Sequence, residues 1–277
     1  MEENEMRRLL ISVSVVLLVC GFAQATLAPP AGSLVWLTAD AGVVQSGGVV
    51  QTWQDQSGNG NDATRVKGTM SLGTAAFGYG THDVIHFNKD GYFSLNTAPL
   101  RLADLTVYAV VEVTGADRRA YFSTYSNAAQ WGYGYHLDLE GGSIRAMTSD
   151  GTQANSSDWL APAPAPGMHY ITTAMSSTAG SKEVYADGVL QGAATVPGLG
   201  YYMSGETASI GALGQLDIDY FFFSGDIAEI LVYSSVDFVQ RYMVEDYLYN
   251  KYYVPEPATM TLLGFGALAM LRRRRHA

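Results

Sequence analysis

The segment Trp53-Gln54-Asp55-Gln56-Ser57-Gly58-Asn59-Gly60-Asn61-Asp62-Ala63 holds the densest set of side-chain oxygens in the chain. Gly58 and Gly60 permit positive φ, so the backbone can turn tightly there, while Asp55, Asn59, Asn61 and Asp62 present carboxylate and amide groups. Calcium is a hard cation that takes oxygen ligands, and Asp55, Asn59 and Asp62 could supply them. With Asn61, the same oxygens could hydrogen-bond sugar hydroxyls. A third use needs no ligand: Asx side chains hold a tight turn, with Trp53 buried beside it.

A second candidate lies in His136-Leu137-Asp138-Leu139-Glu140-Gly141-Gly142. Asp138 and Glu140 alternate on one strand and share a face, roughly 6.6 Å apart by rise. Paired carboxyls about 5–9.5 Å apart serve glycoside hydrolysis. The Gly-Gly that follows ends the strand, so a solvent-facing strand end is the competing use. His82 and His86 are four apart on a strand, about 13 Å, too far to share one metal ion. Asp226 and Glu229 sit in an otherwise apolar strand, where they could hold a metal or support a loop. Tyr121, Tyr125, Trp131, Tyr133 and Tyr135 fall within 15 residues. Tyr125, Trp131 and Tyr133 are candidate glycan contacts, because aromatic faces stack on sugar C–H faces; aromatics also fill sandwich cores. No Ser/His/Asp arrangement, phosphate loop or dinucleotide fingerprint appears.

The elements that would position these residues are short strands. Leu34–Leu37, Val49–Trp53, Val84–Phe87, Tyr92–Leu95, Leu105–Val113, Tyr133–Leu139, Ser143–Met147, Tyr170–Met175, Glu183–Tyr185, Val189–Leu190, Ser209–Gly211 and Phe221–Tyr233 read as strands. Turn residues separate them, among them Asp90-Gly91, Gly141-Gly142 and Asp187-Gly188. This is the pattern of an all-β antiparallel sandwich. Pro162, Pro164 and Pro166 mark an exposed loop. One helix is expected over Asp237–Lys251, capped by Ser234 or Ser235. Val239, Met243, Tyr247 and Leu248 would form its buried stripe, with Glu245 and Asp246 outside.

The two ends differ from this middle. Arg7 and Arg8 precede a 14-residue apolar run, Leu9 to Phe22, and Ala23-Gln24-Ala25 supplies a cleavage pattern, so residues 1–25 read as a secretory signal peptide. Sec-type export machinery is therefore an expected partner. The lone cysteine, Cys20, lies in that run, and one cysteine excludes a disulfide framework. At the other end, Val254-Pro255-Glu256-Pro257 is followed by an apolar run, Ala258 to Leu271, and by Arg272, Arg273, Arg274 and Arg275. Fourteen helical residues span about 21 Å, less than the ~30 Å hydrocarbon core, and four arginines resist translocation. A short apolar helix is thus expected at each terminus, the second as a temporary membrane anchor. Six of the 16 basic and four of the 26 acidic residues lie in these ends, so residues 26–253 carry 10 basic and 22 acidic side chains, net −12. Such a surface argues against nucleic acid.

The tail resembles the PEP-CTERM sorting signal of Gram-negative bacteria, through Pro255-Glu256-Pro257, the glycine-containing apolar stretch and the terminal arginines. The resemblance implies processing by an exosortase, a transient stay in the inner membrane, then the cell surface or a polysaccharide matrix. The middle, residues 26–253, resembles concanavalin A-like, laminin-G-like jelly rolls, through the Trp53–Ala63 loop and Gly225-Asp226-Ile227-Ala228-Glu229-Ile230-Leu231-Val232-Tyr233. That family implies two curved antiparallel sheets and includes lectins, glucanases and adhesion modules. Laminarinase-type members carry an E-x-D-x-(x)-E strand, whereas this chain has His136 in the first position and lacks the third carboxylate. The expectation is a non-enzymatic module binding extracellular carbohydrate or protein, with a glycoside hydrolase or a ligand-free matrix component as the alternatives.

Overall fold

Asp104–Val113 sets the plan of the molecule. In the computed structural model, which describes residues 27–96, 98–114, 119–124, 133–153, 157–196, 207–213 and 221–255, this strand is buried on both faces. Val107, Ala109, Val111 and Val113 point into one apolar core, while Tyr108 and Val110 point into another. A strand covered on both faces must lie in a middle layer.

The first sheet runs in the order β15 (Val189–Thr195), β14 (Ser181–Ala186), β13 (Gly167–Ser176), β8 (Asp104–Val113), β17 (Ser224–Tyr233), β6 (Gly80–Asn88) and β5 (Ser71–Phe77), and β1 (Ser33–Thr38) also pairs with β17. The second runs β12 (Leu160–Pro162), β11 (Ser143–Asp150), β10 (Tyr133–Glu140), β9 (Arg119–Ser123), β16 (Thr207–Ile210), β7 (Tyr92–Asn96), β4 (Ala63–Lys67), β3 (Val49–Trp53) and β2 (Val43–Ser46). Every described pairing is antiparallel. The larger core, with Leu37, Trp53, Phe87, Phe93, Leu137 and Ile230, fills the space between the sheets. The smaller core lies between the first sheet and α1 (Phe238–Tyr253). Pro29–Tyr253 forms one compact unit with its own cores.

The all-β sandwich with one C-terminal helix is as the strand pattern predicts. The expected terminal helices of residues 1–25 and the tail lie outside the described residues. The helix differs in detail. Its cap is Asp237, whose Oδ1 accepts from the amides of Val239 and Gln240 at 2.9 and 3.0 Å, and Ser235 Oγ instead accepts from the Asp237 amide. Its buried face is Val244, Glu245, Tyr247, Leu248 and Tyr252; Val239 and Met243 are exposed. The periodicity misled because this helix is apolar on both faces, and Glu245 turns inward to pair with Arg241 at 2.8 Å. Pro162 also departs from a pure loop. It ends β12, an edge strand, where a missing N–H costs no ladder bond.

Candidate functional site

The Trp53–Ala63 loop turns its polar groups inward, onto β1. Asp55 Oδ1 accepts from the Trp36 amide at 2.9 Å and the Ser57 amide at 3.0 Å. Its Oδ2 accepts from Ser57 Oγ at 2.7 Å and the Asn61 amide at 2.9 Å. Asn59 Nδ2 donates to the Ser33 carbonyl at 2.9 Å, and Asn61 Nδ2 to that of Leu34 at 2.8 Å. Asp62 Oδ1 takes the Asp55 amide at 2.8 Å. Gly58 and Gly60 adopt φ of 85° and 72°, which closes the turn. Trp53 is fully buried and donates its indole N–H to the Thr38 carbonyl at 2.8 Å. Asp55, Asn59 and Asn61 thus tie loop to strand. A calcium ion at Asp55, Asn59 and Asp62 would have to compete with four donors on Asp55. Among the described residues, no group of three or more His, Cys, Asp or Glu side chains is placed to hold a metal ion.

A second carboxylate that accepts four donors is Glu229, on β17. A register shift between β17 and β8 falls at this point of the strand, and the Glu229 side chain is fully buried on the helix side. Oε1 accepts from Trp36 Nε1 and the Tyr247 hydroxyl, each at 2.7 Å. Oε2 accepts from the Tyr252 hydroxyl at 2.7 Å and Lys251 Nζ at 2.8 Å. Lys251 Nζ also donates to Thr38 Oγ1 at 2.9 Å and lies 3.1 Å from Asp40 Oδ2. Burial and the Glu229 charge hold the Tyr247 and Tyr252 hydroxyls far above the ordinary phenol range, so both stay protonated donors. A small cavity of about 170 Å³, lined by Asp40, Thr81, His82, Asp83 and Tyr252, opens beside this cluster. The sequence marks Glu229 only as an acid in an apolar strand; its partners come from β1 and from three positions of α1.

On β10, Asp138 is fully buried beside His136, whose Nε2 lies 3.5 Å from Asp138 Oδ1. Glu140 is more open and pairs with Arg145 at 2.6 Å. Arg145 also grips Asp158, through Nε at 2.6 Å and through a second bond. The expectation of a solvent-facing pair therefore fails for Asp138. His136 and Asp138 share one environment, and Glu140 is held by a cation. Tyr135 and Tyr121 are core residues. Tyr133 opens β10 opposite Asp150, whereas Tyr125 and Trp131 lie outside the described residues. His86 Nδ1 is 2.8 Å from Asp226 Oδ1, while His82 packs against Phe77 and Tyr252, so the two histidines have separate partners. Val254 and Pro255 are the last described residues; Glu256, Pro257 and Arg272 to Arg275 lie beyond them.

One buried cation escaped the sequence. Lys182 on β14 points between the sheets, and Nζ donates to the Ala146 carbonyl at 2.6 Å and the Ser157 carbonyl at 2.8 Å. Burial lowers its pKa to about 8, with the Asp158 charge opposing. The signal was faint, a lysine at an inward position of a strand beginning Ser181-Lys182-Glu183-Val184.

Two antiparallel sheets packed face to face, with a helix closing one outer face, define a jelly-roll module. Residues 87–236 match the family model of the concanavalin A-like lectin/glucanases superfamily, and the chain belongs to that superfamily. Residues 254–275 match the PEP-CTERM protein-sorting motif. No curated protein matches the chain. Among solved structures, the binding domain of Paraclostridial Mosquitocidal Protein 1 is similar at TM-score 0.54 and 10% identity, over 78% of this chain and 52% of that one. The botulinum neurotoxin serotype D binding domain is similar at TM-score 0.54 and 12% identity, over 78% and 51%. The binding domain of botulinum neurotoxin DC in complex with SialylT gives 0.55 and 10%, over 78% and 52%. The chain thus spans about half the length of these structures, and at such identity the likeness is one of fold. No described helix is long and apolar enough to cross a membrane.

Proposed function

We propose that this chain is an exported, non-enzymatic binding module of the cell surface or extracellular matrix, sorted through its tail by an exosortase in a Gram-negative bacterium. In this reading the signal peptide enters the Sec pathway, and the Ala258–Leu271 run holds the protein briefly in the inner membrane. Processing near Pro255-Glu256-Pro257 then releases the jelly roll. The observation that carries the reading is the pairing of a sorting motif at residues 254–275 with a complete sandwich in Pro29–Tyr253. Similar folds occur in binding domains of toxins, one in complex with SialylT and one with rat synaptotagmin II, which supports carbohydrate or protein as the ligand class.

Ligand contact is assigned to the aromatic residues Tyr125, Trp131 and Tyr133, the last of which opens β10. The amide and carboxylate groups of the Trp53–Ala63 loop are engaged with β1 instead. A hydrolase is disfavoured by the burial of Asp138 and the ion pair of Glu140. The test is a glycan array of Pro29–Tyr253, with Trp131→Ala as its control, run beside a reducing-end assay on β-glucans. Binding that Trp131→Ala abolishes, without sugar release, is expected. Release of reducing ends would overturn the non-enzymatic reading, and silence of the array would favour protein as the partner.

A further inference from the structure

The helix α1 has two apolar faces, and the domain covers only one. Phe238, Val239, Tyr242, Met243 and Tyr249 are each at least half exposed. At 100° per residue they fall within an arc of about 140°, which also holds Asp246, Asn250 and Tyr253, the last packed back on Tyr170. Both cations of the helix are engaged within the domain. Arg241 pairs with Glu245 and lies over the rings of Tyr185 and Phe238, 3.8 and 5.1 Å from their centroids, and Lys251 pairs with Glu229 and Asp40. The outer face thus offers hydrocarbon and phenol groups, with one carboxylate and no free cation among its described residues. A helix apolar all round is ordinarily covered all round.

This face lies at the end of the domain that leads into the apolar run. Tyr253 ends the helix, and the apolar run begins at Ala258. Five residues of extended chain reach at most about 18 Å. While Ala258–Leu271 sits in a bilayer, α1 is therefore the described element tethered nearest its surface. We propose that the outer face of α1 docks on the phospholipid surface of that membrane during the anchored stage, resting on the tether proposed above. Tyrosines such as Tyr242 and Tyr249 suit the headgroup level, where a phenol ring is apolar in body and wet at its tip. Val239, Met243 and Phe238 enter the acyl boundary, as apolar faces of interfacial helices do. With no outward cation the attraction is apolar, so a zwitterionic surface suffices, and the net acidic domain is repelled by anionic lipid. Docking of this kind is weak unless the tether keeps the effective concentration high. It holds the domain still beside the Pro255-Glu256-Pro257 segment until processing, and it ends when the tail is cut.

The test uses the full exported chain in phosphatidylcholine vesicles with brominated acyl chains. An environment-sensitive fluorophore is placed through Val239→Cys or Met243→Cys, with Gln45→Cys on the exposed β2 as the reference. Flotation reports the tether and quenching reports the docking. The expected result is that the chain floats, that probes at 239 and 243 are quenched several-fold more than the probe at 45, and that proteolytic removal of the tail restores them to water. A chain that floats with all three probes equally unquenched overturns the docking and leaves the tether standing. A chain that does not float overturns the tether and the docking with it. Probes at 239 and 243 that are shielded before lipid is added assign the face to a second copy of the chain, which also overturns the proposal.

Discussion

The Trp53–Ala63 loop and the Glu229 cluster both anchor on β1, and they do so by opposite means. The loop is conspicuous, with four Asx side chains and two glycines, and its carboxylate accepts four donors at a partly open rim. The cluster is inconspicuous, one glutamate in an apolar strand, yet its carboxylate is wholly buried and accepts a charged and three neutral donors from distant parts of the chain. The contrast teaches that density of chemistry-bearing residues in sequence marks a local turn more readily than a site. A charge that matters to the fold can stand alone in sequence, with one partner 193 residues away at Trp36 and the others 18 to 23 residues on, along α1.

The largest break in this comparison is expected from Glu229→Leu. Removing the acceptor leaves Lys251 short of its partner and two buried hydroxyls unpaired, at a cost of roughly 3–5 kcal/mol in denaturant unfolding. Adding Lys251→Met should recover part of that loss, since an uncompensated charge is removed. A single loss below about 1 kcal/mol would show that the network does not fasten the helix.

Asp55→Ala should cost less, about 2–3 kcal/mol, because the rim lets water replace some donors. The same loop sharpens the metal question. With Asp55 engaged by its own chain, adding calcium or a chelator should leave the unfolding temperature unchanged. A rise with calcium would mean that the ion wins over those donors.

Lys182 gives a signed pH test. Its folded pKa of about 8 lies below its unfolded value of about 10.5, so the unfolded state binds more protons between those two values. Stability from this group rises with pH across that window, and the wild type should gain on Lys182→Met from pH 8 towards 10. The gain levels off above about 10.5, where the unfolded amine loses its proton too, while both proteins lose stability as the buried tyrosines begin to ionise in the unfolded chain. Their folded values are raised by burial, in Tyr185 to about 12, so their contribution is lost above pH 10. A wild type that loses ground to Lys182→Met between pH 8 and 10 would contradict the burial of this amine.

The smallest effect concerns the helix start. Asp237→Ala should cost about 1 kcal/mol by leaving two amides unpaired, and Ser235→Ala less, since Ser235 only holds the cap residue.

Much of the fold was legible because strands and hairpin turns are written locally. Val49–Trp53 was read to its ends, and Asp187-Gly188, with φ of 50° and 75°, makes the predicted turn. The strands that escaped, β2, β4, β5, β9 and β12, owe their state to pairing: β2 and β5 sit in hairpins with β3 and β6, and the polar Ala-Thr-Arg-Val-Lys of β4 pairs with the more distant β7. The buried face of α1 was misread for a related reason. Both faces are apolar, so only the first sheet decides which is covered. The pinning of Asp55, Asn59 and Asn61 to Ser33, Leu34 and Trp36 was hidden because contacts across 19 to 27 residues leave no trace in spacing.

In the proposed function, Pro29–Tyr253 is a self-sufficient module and the two ends are removable addresses. Intact-mass measurement of the protein recovered from the cell surface tests that most directly. The account predicts a chain that begins after the signal peptide and has lost Arg272 to Arg275. A surface-recovered chain that still carries those four arginines would contradict it.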